Sequence, residues 1–554
     1  MQTKAIATLL AVVCAAMLLS TKASELRAQS ISALTGVVSS AAEGPMEGVI
    51  VSAKAPDSTI TVSVVTDKTG RYSFPASKLP AAAYQLHIRA VGYDLSAPAT
   101  ATVATGTTTS ADLKLRKVPD IALQLSDAEW IASMPGTDAQ KKLLLGCNSC
   151  HTVQRIVYST WSAQEFMAII PRMNTYVNQS TAVLPQKRMI VGSNISADTI
   201  RPLAEYLASV NLHGRSYWSY PLKGAPRPTG AATHVVYTEY ALPRETIEPH
   251  DVFVENGIAW YSDFGQQYIG KMDPATGKVT EYRVPMMKPG YPTGGLDLEP
   301  SKDGELWLSG MYQGGLTAFD PKTSAFKSYP LPAELNHQGA QQSMVMPNNM
   351  NVDGQVWTNN QDEHQILKLD VKTGTYTAMG PLKDPTRDRS IATYGILSDS
   401  HNNAYLLDFG GDGAGIAKVD AVTGAITMYP TPTQHSSPRR GRVFGDDQIV
   451  FAEYSGDHVG LLDTHTGVIK EYATPKGTNP YDAFADKNGE LWAGSMWNDR
   501  VIRINPKTGK TIAYLLPRTT NIRRVFVDNT TTPVTFWTSN NHESAIIKLE
   551  PQNN

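Results

Sequence analysis

The feature that most constrains this chain is a repeat. Over residues 233–554 a short strand ending in an aromatic or apolar residue recurs at Trp260, Trp307, Trp357, Tyr405, Val450, Trp492 and Trp537, in steps of 42–50 residues. A polar residue follows each one, at Asp273, Asp320, Asp370, Asp420, Asp463, Asn505 and Glu550, and in most repeats a Thr-Gly turn comes next. A period of this length carrying four short strands is a propeller blade, and seven anchors imply seven blades. The last repeat stops before its outer strand. Val235–Tyr240 has the pattern of that missing strand and would close the ring, which an open solenoid would not need.

Just upstream of the anchors stand seven polar triplets, including Pro249-His250-Asp251, Thr393-Tyr394-Gly395, Pro438-Arg439-Arg440, Pro480-Tyr481-Asp482 and Ile522-Arg523-Arg524. They are expected at the mouth of the propeller channel. Tyr394, Arg439, Arg440, Tyr481, Arg523 and Arg524 are the channel candidates, a set suited to an anionic or hydroxylated ligand. The plainer alternative is solvated turn residues. The Gly-led turns Gly304-Glu305-Leu306-Trp307 and Gly489-Glu490-Leu491-Trp492, with Ile269-Gly270-Lys271-Met272-Asp273, resemble the virginiamycin B lyase propeller. That resemblance implies a lyase using His and Glu with a divalent metal near the channel. His250 fits the Pro-His position. Asp251 and Asp482, with Asp263 and Glu453, are the nearest acidic residues, and no clear Glu partner is present.

Residues 30–116 read as short strands between turn clusters, the pattern of a small β-sandwich. Thr35-Gly36-Val37-Val38, Gly48-Val49-Ile50-Val51, Gly70-Arg71-Tyr72-Ser73-Phe74 and Gly92-Tyr93 resemble the carboxypeptidase regulatory-like domain. The resemblance implies an accessory sandwich, a spacer or a docking module, in some members credited with glycan binding.

Residues 117–215 switch to helical signals. Thr137 to Gln140 and Ser162 to Glu165 are capping boxes. Ser196 caps a third helix, and Pro171 is expected to kink or shorten the second. Between them lies Cys147-Asn148-Ser149-Cys150-His151. C-x-x-C-H is the attachment signature of a c-type haem: two thioethers to the porphyrin and the adjacent imidazole as iron ligand. A redox-active Cys pair would want a βαβ setting, and structural zinc would want four ligands. The helix order resembles the cytochrome c fold, and Arg155-Ile156 with Arg172-Met173 is similar to haem domains of quinohaemoprotein amine dehydrogenases. These resemblances leave Met173, Met189, a His or an open site as the second axial position. Residues 216–232, rich in Pro and Gly, read as a linker.

The expected fold class is therefore multidomain and mainly β: a small β-sandwich, a small all-α cytochrome c domain and a seven-bladed β-propeller. Residues 1–28 have a charged start, an apolar run holding Cys14, and small residues at Ala23 and Ala28, the pattern of a secretory signal. Export agrees with covalent haem and implies a periplasmic or envelope location, with no membrane span once the signal is cleaved. A net charge of −2 advertises no nucleic acid. The leading functional expectation is electron transfer through one covalent haem c, with the propeller binding a redox partner or small-molecule substrate. A metal-dependent lyase with an accessory cytochrome, and a non-catalytic glycan- or envelope-binding protein, are the alternatives. Whether the propeller is catalytic stays open.

Overall fold

A computed structural model describes residues 32–190, 196–410 and 413–552. The expected signal, with Cys14, lies outside these residues.

From Pro249 to Leu515 the chain lays down six four-stranded antiparallel sheets in sequence order. A seventh is built from Val525–Asp528, Thr535–Asn540, Ala545–Pro551 and, at its outer edge, Val235–Ala241. The first and last strands of the propeller are thus hydrogen-bonded to each other over seven residue pairs, so the ring closes without a free edge between its ends. The anchors Trp260, Trp307, Trp357, Tyr405, Val450, Trp492 and Trp537 all lie on the second strand of a blade, and all are buried. The acidic residue after the third strand sets the next turn. Asp370 Oδ1 accepts the backbone N–H groups of Lys372 and Thr373 at 2.9 and 3.0 Å, and Gly374 follows at φ +73°. An Asx turn ending in a left-handed residue is what Asp and Gly supply most readily.

Gly270 in the first blade answers a different need. A Cβ there would lie 2.0 Å from the Tyr261 ring on the neighbouring strand. Gly270→Ala is therefore expected to cost about 1–3 kcal/mol by overpacking, read as a lower denaturant midpoint at unchanged m-value.

The N-terminal strands form a sandwich whose sheets hold Ser32–Ser40 and Ile50–Lys54. It is not a tethered appendage. Ile60–Val65 pairs antiparallel with Val235–Ala241, so one eight-stranded sheet runs from the sandwich into the last blade. Arg89 reaches Asp499 at 2.6 Å and Lys78 reaches Glu550 at 2.6 Å across the same junction. The 216–232 stretch is pinned too: Arg227 pairs with Glu43 at 2.6 Å, and Ala225 N–H donates to Glu129 at 2.6 Å.

The expectation of a small all-α cytochrome c domain is overturned. The chain is mainly β, with six short α-helices among the described residues. Five of them fall in 117–215, spanning 5–14 residues; three start at capping boxes, at Ser126, Thr137 and Ser162, and a fourth at the Ser196 side chain. Pro171 sits inside the helix Ala163–Asn174, which continues three residues past it. These helices do not close on a core of their own. Trp130, Leu144, Phe166, Ile200 and Leu207 belong to one apolar cluster continuous with Phe264, Met344, Met496 and Trp497 of the propeller. Segments this short bury too little surface to stand alone, so they complete their core against the β-propeller end.

Candidate functional site

The C-x-x-C-H loop is where helices and propeller meet. Leu143–Ser149 is a tight 3-10 turn with Cys150 closing it. Asn148, fully buried, donates to Asp127 at 2.7 Å and to the Met496 carbonyl at 3.2 Å, and accepts from Asn521. Asp127 also accepts the Val153 N–H at 2.8 Å, so one carboxyl braces both ends of the motif. Burial, with the Asp499 charge behind it, raises Asp127 to about 8. From the other side Arg523 donates to the Ser149 carbonyl at 2.9 Å and to Asn521 at 2.6 Å. Residues of two blades therefore clamp the two positions between the cysteines.

Cys147 and Cys150 are half-buried and not bridged to each other. Burial pushes both thiols up to about 11, opposite to the depressed values that disulfide exchange uses. His151 directs Nδ1 at the Thr152 carbonyl, 3.0 Å away, which leaves Nε2 as the nitrogen not engaged by that contact. Among the described residues, the sets of three metal-binding side chains whose ligand atoms lie within 4.8 Å of one another do not include Cys147, Cys150 or His151. The loop therefore lacks the compact ligand set that structural zinc would require. Met173 and Met189 are both exposed, at 38% and 37%. His542, on the last blade, lies close to His151 and Arg523. Both its ring nitrogens are shut off from solvent without a well-formed hydrogen bond, and burial lowers it to about 3.

Directly beneath is the mouth of the channel. Glu248, 2% exposed, is raised to about 8 by burial, and its charge would reach Cys150. His250 is fully buried. Its Nδ1 bonds Asp251 at 2.7 Å, and its Nε2 lies 3.2 Å from the Tyr481 hydroxyl. Tyr481 and Tyr394 hydrogen-bond to each other through their hydroxyls. Arg439 stacks on Tyr481, Tyr454 and Tyr394 at 4.3, 4.6 and 5.6 Å, and among the described residues no carboxylate pairs with it. Arg523 completes the group over Tyr481 and Phe264.

Arg440 and Arg524 do something else. Arg440 forks onto Asp251 at 2.8 and 3.0 Å and also touches Asp297. Arg524 reaches Asp251, Asp297 and Glu299 at 2.8, 3.0 and 2.7 Å. Arg442 joins Asp482 at 3.3 Å. The carboxylates in turn accept backbone N–H groups of the following blade, Asp251 from Leu298, Asp297 from Val345 and Asp482 from Val525. Three guanidiniums face four carboxyls on the propeller axis. Burial raises Asp297 and takes Glu299 to about 7. This cluster is an internal clasp for the ring, not an open ligand site.

Of the sequence candidates, Arg439, Tyr394, Tyr481 and Arg523 thus converge under the cysteine loop with His250. Arg440, Arg524, Asp251 and Asp482 are absorbed in the clasp. Sequence reading missed Asp127, Asn148, Glu248, Asp297, Glu299 and His542. A signal existed for Asp297: it precedes Trp307 by ten residues, as Asp482 precedes Trp492.

Residues 33–116 match the family model of the carboxypeptidase regulatory-like domain. No curated protein sequence matches the chain. Among solved structures, virginiamycin B lyase from Staphylococcus aureus is similar at 20% identity, covering 57% of this chain and 99% of its own, with a TM-score of 0.47. A streptogramin B lyase is similar at 22% identity, covering 58% and 99%, with a TM-score of 0.47. The extracellular domain of a hybrid two-component system from B. thetaiotaomicron is similar at 14% identity, covering 55% and 40%, with a TM-score of 0.42.

Proposed function

We propose that this chain is an exported c-type haem protein that transfers electrons, with the haem carried at the helix–propeller junction. Cys147 and Cys150 would hold the group covalently, and the His151 imidazole would ligate its iron. The observation that carries the reading is the orientation of His151, whose Nδ1 is committed to the Thr152 carbonyl on a loop clamped from both sides. A haem so ligated supplies one-electron redox chemistry. The protein's part is to fix the loop, exclude water with the shared apolar cluster, and set positive charge beside it through Arg523 and Arg439. The Arg439–Tyr394–Tyr481 group, with Tyr481 and Tyr394 buried beneath the loop, would act on a bound group from inside rather than on a partner at the surface.

A lyase reading would need His250 to meet substrate, and His250 is enclosed between Asp251 and Tyr481. The sandwich, for its part, docks onto its own propeller through Ile60–Val65. Among the described residues no helix is long and apolar enough to cross a membrane.

The test is production in a host competent for cytochrome c maturation. The purified protein is expected to be coloured, to keep its haem under denaturation, and to show a reduced-minus-oxidised difference spectrum. Cys147→Ala together with Cys150→Ala should abolish covalent retention. A colourless protein whose mass equals that of the bare polypeptide would sink the proposal.

A further inference from the structure

Blade 1 and blade 5 carry the same acidic pair in the same register. In blade 1, Asp263 ends the second strand two residues after Tyr261, which pairs with Gly270, which pairs with Glu281. In blade 5, Glu453 ends the second strand two residues after Phe451, which pairs with Gly460, which pairs with Glu471. Blade 1 satisfies its two carboxylates with a guanidinium. Arg244 reaches Asp263 at 2.9 Å and Glu281 at 2.6 Å, from five residues before the Pro249 that opens the inner strand. Five residues before Pro438, which opens blade 5, stands Thr433. Its N–H and hydroxyl donate to Glu471 at 2.8 and 2.7 Å, but it brings no charge.

Glu453 is left in an unusual position. It is 0% exposed, and neither carboxylate oxygen has a well-formed hydrogen bond. The Ser436 hydroxyl nearby is committed to Thr431 at 3.0 Å. His458, directly opposite Glu453 in the strand pair, also has a buried, unpartnered Nδ1. One ligand atom from each of Glu453, His458 and Glu471 lies within 4.8 Å of the others. Among the described residues no Lys or Arg forms an ion pair with either glutamate.

We propose that Glu453, His458 and Glu471 form a divalent-cation site, open at one position, that replaces, in blade 5, the arginine of blade 1. Two carboxylates balance a 2+ ion. One imidazole beside two carboxylates is a donor set for Zn²⁺ or a similar borderline ion, whereas Ca²⁺ and Mg²⁺ favour oxygen alone. Three protein ligands leave a fourth position for water.

The experiment is titration of ZnCl₂ into tag-free, chelator-treated full-length protein, followed by calorimetry and thermal unfolding. Wild type is expected to take up one equivalent and to unfold at a higher temperature with Zn²⁺. Glu453→Gln and His458→Ala are expected to weaken binding by about 100-fold or more, since even outer partners of metal ligands are worth 10–100-fold. Thr433→Arg restores the blade 1 arrangement, so it should fold at least as well as wild type and lose the Zn²⁺ response. Absence of stoichiometric binding in wild type overturns the proposal. So does uptake that persists undiminished in Thr433→Arg, which places the ion elsewhere.

Discussion

Arg440→Leu is expected to lose about 3–5 kcal/mol of stability, the range seen when one partner of a buried ion pair is removed. The reason lies in what remains. Arg440 is buried at 1% exposure and divides its guanidinium between Asp251 and Asp297. Leucine leaves two carboxyls inside the ring with only Arg524 between them. Asp251 and Asp297 also hold N–H groups of the next blade, so the damage spreads through the inner strands of blades 1, 2 and 3. Arg439→Leu, one residue away, is the control. Its guanidinium has no carboxylate among the described residues and stacks on tyrosines, so the loss should be much smaller. Denaturant unfolding of both variants measures the difference. Equal losses, or a stable Arg440→Leu protein, would show that the clasp does not hold the ring.

The second large effect is a dependence on pH through His250. Burial, with the charges of Arg523 and Arg440, outweighs the Asp251 contact and lowers the imidazole from 6.5 to about 4. Between these values the unfolded chain binds a proton that the native protein refuses. Native stability is therefore complete above about pH 6.5 and falls as the pH drops toward 4. The shift of 2.5 units corresponds to about 3 kcal/mol at the lower limit. Asp251 stays ionised across this window, held well below its usual range by Arg440 and His250. His250→Gln should remove this component, so its unfolding midpoint should fall less steeply from pH 6.5 to 4 than that of wild type. Parallel curves for the two proteins would mean that His250 does not titrate on unfolding.

How much was legible beforehand differs by element. Propeller anchors, turn residues and the closing strand Val235–Ala241 are local or periodic signals, and each shows in the spacing of Trp, Asp and Gly. Capping boxes at Thr137 and Ser162 start helices in the structure, because cap and helix lie within four residues of each other. The small all-α domain was misread because periodicity reports which face of a helix is apolar, not what covers it. Here the cover is the propeller end around Trp497 and Phe264. Arg440 and Arg524 read as channel residues for a similar reason. Their partners Asp297 and Glu299 come from another blade, more than 140 residues away in the chain.

By itself the sequence determined the repeat, the sandwich strands and the C-x-x-C-H loop, all of them patterns within a few tens of residues. Only the tertiary structure decided that the helices share the propeller's core, that the sandwich and last blade form one sheet, and which charges pair on the axis. Those outcomes depend on surfaces and charges that meet through space, and desolvation acts on what is near in space rather than what is near along the chain.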